Sequence, residues 1–132
     1  MREVAYWVAS HLTGIFEIRD SAKDILHKGS RGAGVCIDRG VTTRITEIDS
    51  PQLEIYFNQK KIPPSEAIVT KSVVDLEISS EMSRGVRVNH EFEIPIKGGF
   101  GASAAGALGT AYCLNDFFKL KKPDLILFQI AH

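Results

Sequence analysis

The sequence predicts an α+β domain in which helices pack on one face of a mostly antiparallel sheet. Three observations carry that expectation. Four strand-like runs precede the helix-like stretch at 65–79, an alternating run follows it, and that run ends in a glycine-rich turn passing straight into a helix of small residues.

The elements follow in order. Residues 3–9 form an apolar strand. Ser21-Ala22-Lys23-Asp24 resembles a capping box opening a short helix that Gly29 could end. Residues 34–39, 41–48 and 52–58 read as strands separated by Gly40 and Pro51, and residues 58–61 as a turn. Over 65–79 the apolar positions Ile68, Val69, Val73 and Leu76 recur at helical spacing, with Ser65 placed to cap. Residues 85–94 alternate as a half-buried strand through Val86, Val88, His90, Phe92 and Ile94. A helix over 103–119 and a second one after Pro123 complete the set.

The chemistry concentrates in residues 95–106, Pro-Ile-Lys-Gly-Gly-Phe-Gly-Ala-Ser-Ala-Ala-Gly. Gly98, Gly99 and Gly101 tolerate positive φ, so successive amides can turn toward one anion. The helix opening near Ser103 adds unpaired N–H groups and the positive end of its dipole. Lys97 supplies a full charge at the rim, and the Ser103 hydroxyl can bond a phosphate or ligate Mg2+. The P-loop pattern fails, because its lysine should follow the glycines. Residues 99–104 do satisfy the dinucleotide fingerprint, G-x-G-x-x-A. Against it stand the alternating strand ahead of the loop and Asp124, which precedes the next apolar run where a ribose-binding carboxylate should follow it. Tight packing of helix on strand remains the bland alternative, and packing is the favoured account of Gly106 and Gly109.

Residues 95–106 also resemble the central motif of the GHMP kinases, Pro followed by Gly-Leu-Gly-Ser-Ser-Ala, with Phe100 in place of Leu and Ala102 in place of the first Ser. The resemblance implies ATP held by Lys97, Gly98, Gly99, Phe100, Gly101, Ala102, Ser103 and Ala104, with Ser103 at Mg2+. It also implies the ribosomal protein S5 domain 2-like fold of that family's N-terminal domain. Residues 8–18 lie where the family carries Pro-Gly-Lys and, six residues later, Glu-His. His11 falls at the Lys position and Glu17 at the Glu position, while the Pro and the last His are missing. Together with Gly29-Ser30-Arg31-Gly32-Ala33-Gly34, the segment is similar to the archaeal pantoate kinase branch, which implies phosphorylation of pantoate to 4-phosphopantoate in coenzyme A biosynthesis. On that reading Ser103, His11 and Glu17 are the catalytic candidates. Arg31, whose planar fork suits a carboxylate, joins Ser10, His11 and Thr13 as substrate contacts. The alternatives are another kinase of the family, acting on homoserine or shikimate, and a non-catalytic binding domain of the same fold.

Composition narrows the partners. The chain has 132 residues, 44% hydrophobic and 24% charged, enough for one core. Zero formal net charge and a pI near 6.9 argue against nucleic acid and anionic membranes, and no apolar run reaches the roughly 18 residues of a membrane span. The start lacks a secretory signal pattern, so a cytoplasmic protein is expected. Cys36 and Cys113 lack metal-ligand spacing and are expected as buried free thiols, and the four histidines are scattered, so no zinc site is expected. Relatives of this family carry a later acidic magnesium ligand and a further glycine-rich motif that this sequence does not contain. The expectation is therefore one N-terminal domain over 1–132 without the C-terminal domain, with little activity alone, paired with a missing half or as a homodimer.

Overall fold

The computed structural model describes residues 2–78 and 85–132. Five strands form one sheet: β1 (Glu3–Arg19), β2 (Gly29–Ile48), β3 (Leu53–Phe57), β4 (Lys60–Ile62) and β5 (Gly85–Phe92). Their order is β1-β2-β5-β3-β4, with β3 and β5 parallel and every other pair antiparallel. Three helices, α1 (Ile68–Glu77), α2 (Ala102–Phe117) and α3 (Asp124–Ala131), cover one face. The alternating phase of the strands sets which face that is. Val41, Ile45, Ile55, Val86 and Val88 point inward and are buried, whereas Arg44, Glu54, Arg87 and Asn89 occupy the opposite phase.

Small residues decide how closely α2 sits. Ala105, Ala107 and Ala111 are buried, and a Cβ on Gly109 would lie 2.5 Å from Thr43 Oγ1, so a larger residue there must displace Thr43. Val73, Val74, Leu114, Phe117 and Leu127 join α1, α2 and α3 into one core. Asn115 holds the α2–α3 connection by accepting from the Lys122 amide at 2.9 Å. Glu77, buried, meets Lys122 Nζ at 2.6 Å.

Several sequence boundaries move. The first strand runs past residue 9 to Arg19, and the strands expected at 34–39 and 41–48 are one continuous strand. Gly40 interrupts nothing: it faces Ala9 in register, and a Cβ there would meet Val8 O at 2.1 Å. The Ser21 capping box does not form. A single 3-10 turn, Ile25–His27, is capped instead by Asp24, whose Oδ1 accepts from the Leu26 amide at 3.1 Å. The first α-helix begins at Ile68, not Ser65, because Pro63 O already accepts from the Glu66 and Ala67 amides. Residue 79, the expected end of that helix, lies outside the described residues. The turn at 58–61 has φ of 47° at Asn58 and 68° at Gln59 and returns the chain as β4, which the sequence reading did not anticipate. The last strand stops at Phe92, not 94, and Cys36 is exposed, not buried, on the long β1–β2 hairpin.

Candidate active site

The segment between β5 and α2 is fixed at both ends. Just after β5, Glu93 Oε2 accepts from the Trp7 indole at 2.9 Å and from the Gly40 amide at 2.9 Å. The indole bond, then the amide, hold this carboxyl below its usual range. Ile94 is buried, and Gly98 N–H donates to Pro95 O at 3.3 Å, closing a turn. The chain then enters α2 through Gly101, whose φ of 70° serves as the helix N-cap with no side-chain cap.

Three residues in the turn have left-handed backbone: Lys97 at 62°, Gly99 at 81° and Gly101 at 70°. Lys97 takes the conformation the sequence reading gave to Gly98. Gly98 is small for a different reason, since a Cβ there would press on Pro95 and the Phe100 ring at 3.0–3.2 Å. A non-glycine residue held at positive φ is costly, and such strain collects at functional turns. The result is a run of N–H groups without acceptors: among the described residues, the amides of Gly99, Phe100, Gly101, Ala102, Ser103 and Ala104 make no hydrogen bond. Above Gly99 is open space, with no atom within 4 Å of where a Cβ would stand. Free N–H groups at a helix N-terminus can bind an oxyanion.

β1 supplies a second wall. The His11 amide donates to Phe100 O at 3.1 Å, and the His11 ring lies over Gly101, where a Cβ would be 2.4 Å from it. Ser10 beside it is fully buried, and its hydroxyl finds no partner among the described residues. Sequence-distant His11 and the turn are thus brought together. Glu17, Thr13 and Arg31 are not. Glu17 lies six residues beyond His11, a strand contour of about 20 Å. It bonds Arg19 at 3.0 Å and stands opposite Arg31 on the exposed hairpin, and Thr13 faces Gly34 there.

On the other side, Lys97 and Ser103 border a cavity of about 180 Å3 walled by Phe57, Ile68, Val69, Phe92 and Ile96. Thr70 and His90 form its polar floor. His90 Nδ1 is 2.9 Å from Thr43 Oγ1 and Nε2 is 2.9 Å from Thr70 Oγ1. A neutral imidazole has one N–H, so it donates to one threonine and accepts from the other. Burial drives its pKa down to about 4, keeping it neutral. The sequence reading treated His90 only as part of an alternating strand. The missed signal was its phase, since a histidine in line with Val86 and Val88 had to be buried and bonded. Among the described residues no group of three or more His, Cys, Asp or Glu side chains is placed to hold a metal ion. Nor is any described helix long and apolar enough to cross a membrane.

A mixed sheet, helices on one face and an amide-lined turn opening α2 define an N-terminal domain of the GHMP kinase class. The family model described as GHMP kinases N terminal domain matches residues 67–132, and the chain belongs to that family. It is 33% identical to the pantoate kinase of Thermococcus kodakarensis over 116 residues, covering 85% of this chain and 38% of that protein. It is 30% identical to the pantoate kinase of Methanocaldococcus jannaschii over 128 residues, covering 92% of this chain and 42% of that protein. A solved structure described as a phosphotransferase related to the CoA biosynthesis pathway superposes with a TM-score of 0.89 at 28% identity, over 99% of this chain and 44% of that one. The chain therefore spans less than half the length of the relatives it matches.

Proposed function

We propose that this chain is the nucleotide-binding part of an ATP-dependent pantoate kinase, which moves the γ-phosphoryl group to the primary hydroxyl of pantoate and gives 4-phosphopantoate. The observation that carries the reading is the run of six amides from Gly99 to Ala104 that are unpaired among the described residues, preceded by Lys97, with Lys97 and Ser103 bordering the apolar cavity. ATP supplies the transferred group, and phosphoryl transfer asks the protein mainly for alignment and neutralisation of charge. The amides and Lys97 bind the phosphate oxygens. The Ser103 hydroxyl bonds one of them and offers a single oxygen to Mg2+, an ion that keeps waters and few protein ligands. Phe57, Phe92 and Ile68 wall the apolar cavity that would receive the base. His11 holds the turn in shape through the Phe100 carbonyl and lines the side from which the acceptor hydroxyl approaches, with buried Ser10 behind it. Glu17 and Arg31 touch nothing in the turn, and the proposal gives them no part in phosphoryl transfer. The similarity to two pantoate kinases supports pantoate as the acceptor ahead of homoserine or shikimate.

The test is titration with Mg-ATP, read by calorimetry and thermal shift. Saturation at about 100 times Kd should add about 2.7 kcal/mol of stability. Gly101→Ala, which drives a Cβ into the His11 ring at a left-handed φ, and Ser103→Ala should each weaken binding at least about tenfold, the effect of losing one charge-assisted contact. Absence of binding, or binding indifferent to both changes, overturns the nucleotide assignment. In the presence of the remaining polypeptide, phosphorylation of homoserine or shikimate in preference to pantoate overturns the substrate.

A further inference from the structure

A hydrogen-bonded chain of three side chains, Thr43, His90 and Thr70, runs from the core to the cavity beside the turn. Thr43 and His90 face each other in register across β2 and β5, and Thr70 comes from α1. His90 and Thr70 line the cavity, whereas Thr43 is fully buried beside Gly109. Among the described residues neither hydroxyl has a partner besides the imidazole, at 2.9 Å on each side. The hydrogens can therefore be counted. Each hydroxyl brings one and the neutral ring brings one, so three hydrogens serve two contacts and one is left over. Were Nδ1 protonated, the spare hydrogen would be that of Thr43, a buried donor with no acceptor, which folded proteins avoid. With Nε2 protonated, Thr43 donates to Nδ1, Nε2–H donates to Thr70 Oγ1, and the spare hydrogen belongs to Thr70 at the cavity floor. Only this second arrangement leaves it where a ligand can accept it.

Resting on the nucleotide reading above, we propose that Thr70 selects the base of the bound nucleotide by donating this hydrogen to N1 of adenine, with His90 and Thr43 as the positioning residues that aim it. The two ends of the cavity set the geometry. With the phosphates on the amides of residues 99–104, the sugar passes Lys97 and Ser103, and the edge of the base farthest from the sugar reaches the floor. In a purine that edge carries N1. The walls are apolar, and the other polar side chains that line the cavity, Glu66, Lys97 and Ser103, are exposed, so Thr70 and His90 are the buried polar groups the base meets. Adenine N1 is an acceptor and takes the Thr70 hydrogen. Guanine and hypoxanthine carry N1–H instead, which leaves that hydrogen stranded. Adenine nucleotides are thus selected over purines protonated at N1, by the penalty on an unmatched donor.

Two measurements test this. Without nucleotide, long-range 1H–15N spectra should show His90 protonated at Nε2 and not at Nδ1. Calorimetry with the magnesium complexes of ATP, ITP and 1-deaza-ATP, which has C–H in place of N1, then reads the contact. The wild type should bind ATP about tenfold more tightly than either analogue, the effect of one hydrogen bond whose loss strands a donor. Thr70→Val should bring ATP down to the level of 1-deaza-ATP, and Thr70→Ser, which keeps the hydroxyl, should retain the preference. An Nδ1–H tautomer, equal binding of ATP and 1-deaza-ATP or of ATP and ITP by the wild type, or a preference for ATP over 1-deaza-ATP that survives Thr70→Val overturns this proposal alone. Should Thr70→Val not fold, the wild-type comparison of ATP with 1-deaza-ATP decides. Failure of the wild type to bind Mg-ATP at all overturns the nucleotide reading and this one with it.

Discussion

Acid should destabilise this domain through one buried histidine. His90 is 1% exposed, and burial holds its folded pKa at about 4 against the ordinary 6.5. The unfolded chain therefore binds a proton that the folded one refuses between those values, and stability rises with pH there. The contribution is fully present above pH 6.5 and is lost as pH falls through 4. From the two pKa values, the loss is about 2 kcal/mol by pH 5 and about 3 kcal/mol by pH 4. Carboxylates such as Glu54, held low by Lys61 and Arg87, also titrate in acid, so the comparison must be with a variant. Urea unfolding of wild type and His90→Gln from pH 7 to 4 provides it: the stability difference between them should shrink by about 2–3 kcal/mol across the range. Should His90→Gln not fold, the imidazole resonances of the wild type give the folded pKa directly. Parallel pH curves for the two proteins, or an imidazole titrating near 6.5, would refute the argument.

Two further outcomes follow from packing. Gly109→Ala gains about 1 kcal/mol of helix propensity but places a methyl 2.5 Å from Thr43 Oγ1, and overpacking of this kind costs about 1–3 kcal/mol. A net loss of stability is expected in urea unfolding, and a gain would show that Thr43 yields freely. Cys36 is exposed whereas Cys113 is buried, with its thiol pushed up to about 12. An aromatic disulfide reagent at pH 8 should therefore label one thiol in the native protein and two in denaturant. Two rapidly labelled thiols in the native state would contradict the packing of α2 on β1 and β2.

The local chain determined a good deal. Glycines at 99 and 101 specify a turn that must use positive φ, and the alanines of 102–111 specify a helix that can lie close to a sheet. Both were legible because single-residue sterics decide them. The inward phase of Val86 and Val88 gave β5, and helical spacing gave α1, for the same local reason. What the sequence could not supply was anything set by strands meeting across the sheet. Gly40 read as a break because glycine usually ends strands. In the structure it keeps β2 continuous, since only there must the backbone pass the Val8 carbonyl without a Cβ. Lys97, not Gly98, took the left-handed conformation, and residue 98 is small for another reason, since the Pro95 and Phe100 side chains claim the space a Cβ would fill. Grouping also depended on distance in space: His11 joined the turn through a bond to Phe100, while Glu17 and Arg31, near it in sequence, were carried off along an extended strand. A β-strand advances about 3.3 Å per residue, so short separations in sequence become long ones in space, and only pairing with other strands decides which distant residues return.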